Sequence, residues 1–179
     1  MDQRELFKMK LKFIDYYMKM AELTADLSSA VRLKVGSVVV RGNNILATGY
    51  NGTPSGWDND CEDKIWDTGA GGWLDPDEFD TRYPYEAWHD GAGRLVRYGL
   101  KTKRIVLHSE ANALTKIARS TESSDGATLF CTHAPCIDCA KLIYQSGISS
   151  VYYRNTYRET TGIEFLEKSG VRVEHYPNA

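Results

Sequence analysis

The chain begins with a helical pattern of apolar residues and then changes to a strand pattern. Residues 3–27 carry apolar side chains near helical spacing, which predicts an amphipathic helix. Residues 35–40 and 45–50 are short apolar runs on either side of a Gly-Asn-Asn turn, so they are predicted to form a β-hairpin. The positions that define the helix are Leu6, Met9, Phe13, Tyr17, Met20 and Leu23.

The second half of the chain alternates between strand and helix patterns. Strands are predicted at 127–132, 148–153 and 171–176, and helices at 109–119, 136–146 and 161–168. This alternation indicates a layered α/β fold with helices covering both faces of the sheet. We interpret residues 1–179 as a single domain. Residues 57–103 are rich in glycine, proline and acidic residues, and are predicted to be an irregular insertion with a short helix at 93–101.

Composition limits the classes of function. The 179 residues are 42% hydrophobic and 26% charged, which is ordinary for a globular domain. A net charge of -2 argues against a nucleic-acid-binding protein, which usually presents a strongly basic face. No apolar run approaches the roughly 20 residues of a membrane helix, and the N-terminus is too polar for a signal peptide. We therefore expect a cytoplasmic protein that binds neither nucleic acid nor membrane.

Two short motifs carry the candidate chemistry, His108-Ser109-Glu110 and Pro135-Cys136-Ile137-Asp138-Cys139. Cysteines three positions apart at the start of a helix share one face and can hold one ion, and the positive end of the helix favours the thiolate forms. The combination H-x-E…P-C-x-x-C is the signature of zinc nucleobase deaminases. It predicts one Zn²⁺ bound by His108, Cys136 and Cys139, with one tetrahedral position left for water.

Glu110 is the predicted catalytic residue, a proton shuttle that binds no metal. It would take a proton from the water, pass it to the ring nitrogen beside the attacked carbon and finally protonate the departing amine. The alternative is a structural zinc site closed by a fourth ligand. Catalytic zinc is favoured because a structural site gives no role to Glu110. Candidates for a fourth ligand are Cys61, Cys131, His133 and His89.

Three blocks of the sequence resemble the deoxycytidylate (dCMP) deaminases, including those of bacteriophages. They are residues 35–40 with 48–56, residues 108–114, and residues 135–143 with 146–148. The Gly-Tyr-Asn-Gly-Thr-Pro run at 49–54 narrows the resemblance to this family. The family commonly has alanine at the position of Ser109. The resemblance implies a three-layer α/β/α cytidine-deaminase-like fold with a central mixed sheet of about five strands.

The resemblance also implies an activity and its control. The reaction would be hydrolysis of dCMP to dUMP and ammonia, which supplies dUMP for thymidylate synthesis. The protein would be a homohexamer activated by dCTP and inhibited by dTTP, with Mg²⁺ accompanying the regulatory triphosphate. It would work in the cytoplasm, which is the host cytoplasm if a phage encodes it.

Several binding residues follow from the same resemblance. Asn51 would bind the deoxyribose hydroxyl, although an asparagine before glycine is also common in turns. Tyr157 would line the substrate pocket or simply pack. Backbone groups of Ser109 and Ala134 would contact the base. Gly52 and Arg119 are assigned to regulation, and Arg119 could equally be a solvated helix end.

The phosphate ligands are a separate hypothesis that rests on the residues alone. Arg154 and Arg158 flank Tyr157, and arginine offers a fork of donors suited to phosphate oxygens. The alternative is that both are solvated surface residues. Two other functions stay open: a tRNA adenosine deaminase and a zinc-stabilised nucleotide sensor without turnover. A riboflavin-pathway deaminase is not expected, because such enzymes usually carry a partner reductase domain.

Overall fold

The structure is a computed structural model that describes residues 9–67, 69, 74–89, 91, 93–157 and 159–177. The helices are α1 (Leu11–Ala25), α2 (Pro76–Arg82), α3 (Ser109–Ala118), α4 (Ile137–Gln145) and α5 (Thr161–Lys168). The strands are β1 (Gly36–Arg41), β2 (Asn44–Tyr50), β3 (Glu62–Trp66), β4 (Tyr85–His89), β5 (Arg94–Thr102), β6 (Thr128–His133), β7 (Ser150–Asn155) and β8 (Arg172–His175).

The central sheet has five strands in the order β2-β1-β6-β7-β8. Strand β1 is antiparallel to both β2 and β6, whereas β6, β7 and β8 run parallel. The sheet is therefore mixed, and the parallel part is built from β-α-β units in which α4 and α5 make the crossovers. The predicted mixed sheet of about five strands is confirmed.

Helices cover both faces of this sheet. Val38 and Val40 of β1 pack with α1 on one side, whereas Val39 packs with α3 and α4 on the other. This follows from the two-residue period of a strand, which turns successive side chains to opposite faces. The three-layer α/β/α fold is thus confirmed. The parallel strands β6 and β7 are buried on both sides, as such strands usually are, whereas the edge strand β8 is partly exposed.

A second, three-stranded sheet with the order β3-β5-β4 occupies the segment that was predicted to be irregular. That prediction is wrong, as is the predicted helix at 93–101, because those residues lie in strand β5. Val96, Tyr98 and Leu100 alternate with more polar neighbours, which is a strand period and not a helical one. Helix α2 packs on this sheet at Gly99, where a Cβ atom would overlap the Arg82 carbonyl oxygen.

The predicted elements outside the insertion are confirmed, with shifts of one or two residues at most of their ends. The first predicted helix begins at Leu11, and its predicted residues 3–8 lie outside the described part of the chain. In the described residues, no helix combines the length and the apolar character needed to cross a membrane.

Candidate active site

The N-terminal ends of helices α3 and α4 bring three metal-binding side chains together. His108 is the N-cap of α3 and Cys136 is the N-cap of α4, with Cys139 in the first turn of α4. The His108 Nδ1 atom lies 3.4 Å from the Sγ atom of each cysteine. All three donor atoms lie within 4.8 Å of one another, and we call these three residues the donor group.

The donor group has the dimensions that a zinc ion requires. Zn–S bonds of about 2.3 Å and Zn–N bonds of about 2.0–2.1 Å, at tetrahedral angles, place neighbouring donor atoms about 3.5 Å apart. Two sulfurs and one imidazole nitrogen are also the ligand types that zinc prefers. The residues present therefore fit this metal.

The three donor side chains shift one another's pKa values. The Cys139 thiol and the His108 ring lower the pKa of Cys136 to about 4, so this sulfur is a thiolate at neutral pH. The pKa of Cys139 is raised by its hydrogen bond to Cys136 and by burial. The hydrogen bond to Cys136 also raises the pKa of His108. The thiolate is the form that binds metal.

Close backbone packing fixes the two helix ends. A Cβ atom on Gly49 of β2 would overlap the Ser109 carbonyl oxygen at the start of α3. A Cβ atom on Gly162 of α5 would likewise overlap the Pro135 carbonyl oxygen just before α4. Glycine at these two positions lets the neighbouring elements hold the donor group from both sides.

The candidate fourth ligands do not join the donor group among the described residues. Cys131 is fully buried in strand β6, and burial raises its pKa to about 12, which keeps it a thiol. Cys61 is buried against Ala30 and Val106. The side chain of His89 lies outside the described part of the structure. A donor group of three residues matches the open arrangement of a catalytic site.

Glu110 lies in the first turn of α3, beside the donor group and at the wall of a pocket. Its side chain is only 4% exposed, and burial raises the pKa of the carboxyl group. The Ser109 hydroxyl donates a hydrogen bond of 2.9 Å to Glu110 Oε2. A buried carboxyl group next to a metal-binding group is suited to move protons during a reaction.

A pocket of about 360 Å³ opens next to the donor group, at the carboxyl ends of β6 and β7. Ligands of open α/β folds bind at this edge of the sheet. The size is adequate for a small ligand. The pocket is lined by Arg32, Leu33, Val35, Asn51, Thr102, Val106, His108, Ser109, Glu110, His133, Ala134, Cys136 and Tyr157.

The structure brings four of the predicted substrate-binding residues to this pocket: Asn51, Ser109, Ala134 and Tyr157. The Asn51 side chain also makes local contacts, because its Oδ1 accepts a hydrogen bond of 2.7 Å from Val35 N and its Nδ2 donates one of 2.8 Å to Leu33 O. Asn51 therefore shapes the pocket wall in addition to facing the pocket.

The two residues assigned to regulation lie in different places. Gly52 exchanges two backbone hydrogen bonds with Leu107, the residue before His108. Gly52 thus links the loop that follows β2 to the segment that leads into His108. Arg119 is the exposed C-cap of α3, at the end of the helix opposite His108.

Arg154 does not reach the pocket, which corrects the hypothesis that it binds phosphate. Its side chain is 5% exposed and points to the α1 side of the sheet, where Nε donates to Glu22 Oε1 at 2.8 Å. Its Nη1 atom donates to the carbonyl oxygens of Tyr176 and Pro177. Arg158 lies outside the described residues.

Sequence reasoning missed two polar residues of the pocket wall, Arg32 and Thr102. His133, considered from the sequence only as a zinc ligand, also lines the pocket. Arg32 is the one lysine or arginine among the described lining residues, and its Nη1 lies 3.4 Å from Thr102 Oγ1. The chain position of Arg32, four residues before strand β1, gave no sign of a pocket. Arg32 reaches the pocket because of how the insertion folds.

Comparison with known proteins assigns the family. A family model described as the cytidine and deoxycytidylate deaminase zinc-binding region matches residues 11–155. The chain belongs to the cytidine and deoxycytidylate deaminase family. The deoxycytidylate deaminase of Enterobacteria phage T4 is 32% identical in an alignment of 180 positions. The alignment covers 89% of this chain and 88% of the phage protein.

Two further relatives differ in how much of their length is matched. The deoxycytidylate deaminase of Saccharomyces cerevisiae is also 32% identical, over 94% of this chain, but this chain spans only 46% of the yeast protein. A dCMP deaminase of cyanophage S-TIM5, solved in complex with dCMP and dUMP, is 43% identical and superimposes with a TM-score of 0.71. That match covers 94% of this chain and 99% of the phage chain.

Proposed function

We propose that this protein catalyses the hydrolysis of dCMP to dUMP and ammonia. The observation that carries the proposal is the donor group of His108, Cys136 and Cys139 at the wall of a pocket that also contains the buried Glu110. The similarity to the cyanophage enzyme, which was solved with dCMP and dUMP, supports this choice of substrate. The protein would hold one Zn²⁺ per chain.

The donor group would hold the zinc, and Glu110 would move the protons. When bound, zinc supplies a Lewis acid that lowers the pKa of a water molecule to about 7. Glu110 takes a proton from the water that attacks C4 of the cytosine and delivers it to N3 of the ring. The second water proton then goes to the amino group. The C4–N bond breaks, and the carbonyl of dUMP and ammonia result.

The pocket wall supports recognition of a nucleotide. Tyr157 offers an aromatic ring, Asn51 an amide for the sugar hydroxyl, and Ala134 a buried backbone segment for the base. The backbone of Ser109 would also face the base. In place of Arg154, we assign the substrate's phosphate to Arg32, which lines the pocket next to Thr102. Arg158 stays a second candidate.

Replacing Arg32 tests the assignment of the phosphate. Arg32→Gln should raise KM for dCMP by about tenfold or more, because charge-assisted hydrogen bonds to phosphate contribute about 1.5–3 kcal/mol each. Its activity on deoxycytidine, which has no phosphate, should change little. Kinetics with both substrates measure this preference.

Arg41→Gln is the matched control for this test, since Arg41 is a surface arginine paired with Glu122. It should preserve the preference for dCMP. An unchanged preference in Arg32→Gln would remove Arg32 from phosphate binding. Equal use of dCMP and deoxycytidine by the parent protein would point to a nucleoside deaminase instead.

The resemblance supports a regulated oligomer that supplies dUMP for thymidylate synthesis in the cytoplasm. We propose a homohexamer activated by dCTP and inhibited by dTTP, with Mg²⁺ on the triphosphate and with Gly52 and Arg119 in the response. Substrate saturation should then be sigmoidal and become hyperbolic with dCTP. Initial rates and light scattering test this. Hyperbolic kinetics that neither triphosphate changes would contradict it.

A tRNA adenosine deaminase and a nucleotide sensor remain the competing functions. The net charge of -2 disfavours a protein that must bind RNA. A sensor would bind dCMP but release no ammonia from it, so an ammonia assay with dCMP separates a sensor from a dCMP deaminase.

A further inference from the structure

Ser109, which lies between His108 and Glu110, has a side chain that the proposed reaction does not yet use. It is fully buried, and its hydroxyl donates to Glu110 Oε2 at 2.9 Å. Its Oγ atom also lies 2.6 Å from the Oγ atom of Ser37. A hydroxyl has one hydrogen, and a carboxylate can only accept. While Ser109 donates to Glu110, Ser37 must therefore be the donor to Ser109. The Cys131 thiol, 3.3 Å from Ser37 Oγ, then donates to Ser37 instead of accepting from it.

Ser37 is held by the central sheet and not by the active-site helices. It lies on β1, is fully buried and pairs in register with Cys131 of β6. The Ser37 Oγ atom is 3.3 Å from Cys131 Sγ, and Ser109 Oγ is 3.7 Å from the same sulfur. A continuous row of polar atoms thus runs from two central strands to Glu110 Oε2.

We propose that Ser109, supported by Ser37 and Cys131, is a positioning residue that holds the carboxyl group of Glu110 for proton transfer. This inference rests on the proposed deamination. A serine hydroxyl can donate to a carboxylate and accept from a carboxylic acid, so it holds both forms of a proton shuttle. A buried network with every member partnered is rigid, and rigid strands β1 and β6 fix this one.

A purely structural role is the alternative, because buried hydroxyl groups need partners in any protein. The two roles differ in which quantity a substitution changes. Loss of a positioning contact reduces kcat and leaves KM nearly unchanged, whereas general loosening of the site changes stability and KM as well. The two serines should also act as one unit, since Ser37 reaches Glu110 only through Ser109.

The test compares Ser109→Ala, Ser37→Ala and the double variant in the zinc-loaded protein. Ser109→Ala should lower kcat for dCMP about tenfold, with KM within about twofold of the parent and zinc retained. Ser37→Ala should lower kcat less, and the double variant should be no slower than Ser109→Ala alone. Ser124→Ala is the control, because this half-buried serine donates to Ser146 O at 2.7 Å and precedes the start of β6, whereas the pocket lies at the end of β6.

Two results would overturn the inference. One is a kcat of Ser109→Ala within about twofold of the parent, and the other is a double variant whose loss is the product of the two single losses. If Ser109→Ala fails to fold, as judged by its melting temperature, Ser37→Ala alone must still lower kcat without changing KM.

The parent protein and Glu110→Gln separate this inference from the proposed function. If the parent does not deaminate dCMP, the proposed function is wrong. If the parent is active and Glu110→Gln is not, but both serine variants keep the parental kcat, only the role of Ser109 is wrong.

Discussion

Glu110 and the donor group lie side by side at the start of α3 and α4, and the proposed reaction gives them different tasks. The three donor side chains are arranged to bind a cation, whereas the buried carboxyl group of Glu110 stands outside that group. The proposed reaction uses both residues, the histidine to hold the metal and the glutamate to move protons. Their neighbouring positions place His108 and Glu110 at the same wall of the pocket.

Glu110→Gln separates these two tasks. It keeps the shape of the side chain and removes its ability to accept a proton. We expect kcat to fall by about 10²–10⁴-fold, because this is the usual contribution of a general acid–base group. Zinc content and melting temperature should stay close to those of the parent. Activity within about tenfold of the parent would contradict the role of proton shuttle.

At the same scale, Arg154 and Arg32 show the limit of sequence reasoning. Arg154 lies near Tyr157 in the sequence, but the alternation along β7 turns its side chain toward Glu22 of α1. Arg32 reaches the pocket through contacts with residues that are distant in sequence. Short motifs reveal metal ligands because their spacing is local, whereas ligands of a phosphate are brought together by the whole fold.

At the scale of secondary-structure elements, the predictable parts are those with a strong period and a buried face. Helices α3 and α4 and strands β1 and β6 belong to this group, and they carry the donor group and its supports. The second sheet was missed because its strands are half-exposed and mix aromatic with charged residues. Such short strands depend on their pairing partners more than on a clear hydrophobic pattern.

The second sheet lines the pocket with Thr102 of β5 and holds the loop of Arg32 through the carboxylate of Glu62 of β3. This carboxylate is 8% exposed and accepts hydrogen bonds of 3.2 Å from the backbone N–H groups of both Val31 and Arg32. The strand therefore fixes the loop that presents Arg32. The insertion contributes to the wall of the pocket without supplying a metal ligand among its described residues.

Glu62→Ala should release this loop. We expect KM for dCMP to rise several-fold, in the same direction as in Arg32→Gln, while zinc content stays unchanged. Asp63→Ala is the matched control, because Asp63 is an exposed acid on the same strand. Steady-state kinetics of the two variants measure the effect. A KM for Glu62→Ala equal to that of Asp63→Ala would show that the second sheet does not position Arg32.

At the scale of the whole molecule, the three-layer fold gathers the chemistry at one edge of the central sheet. The carboxyl ends of the parallel strands β6 and β7 lie beside the N-terminal ends of α3 and α4, and the antiparallel strands β1 and β2 extend the same sheet on the β6 side. The layered fold was predictable from alternating strand and helix patterns. The position of the second sheet beside the pocket was not predictable, because that position depends on contacts between segments that are distant in sequence.

The central claim is that one zinc ion, held by the donor group, makes this protein a dCMP deaminase. The most direct measurement is zinc content together with ammonia and dUMP formed from dCMP, in the parent protein, Cys136→Ser and Cys61→Ser. The parent and Cys61→Ser should hold about one zinc per chain and release ammonia and dUMP in equal amounts. Cys136→Ser should lose both metal and turnover. Turnover by metal-free protein, or zinc-loaded parent that releases no ammonia from dCMP, would contradict the claim.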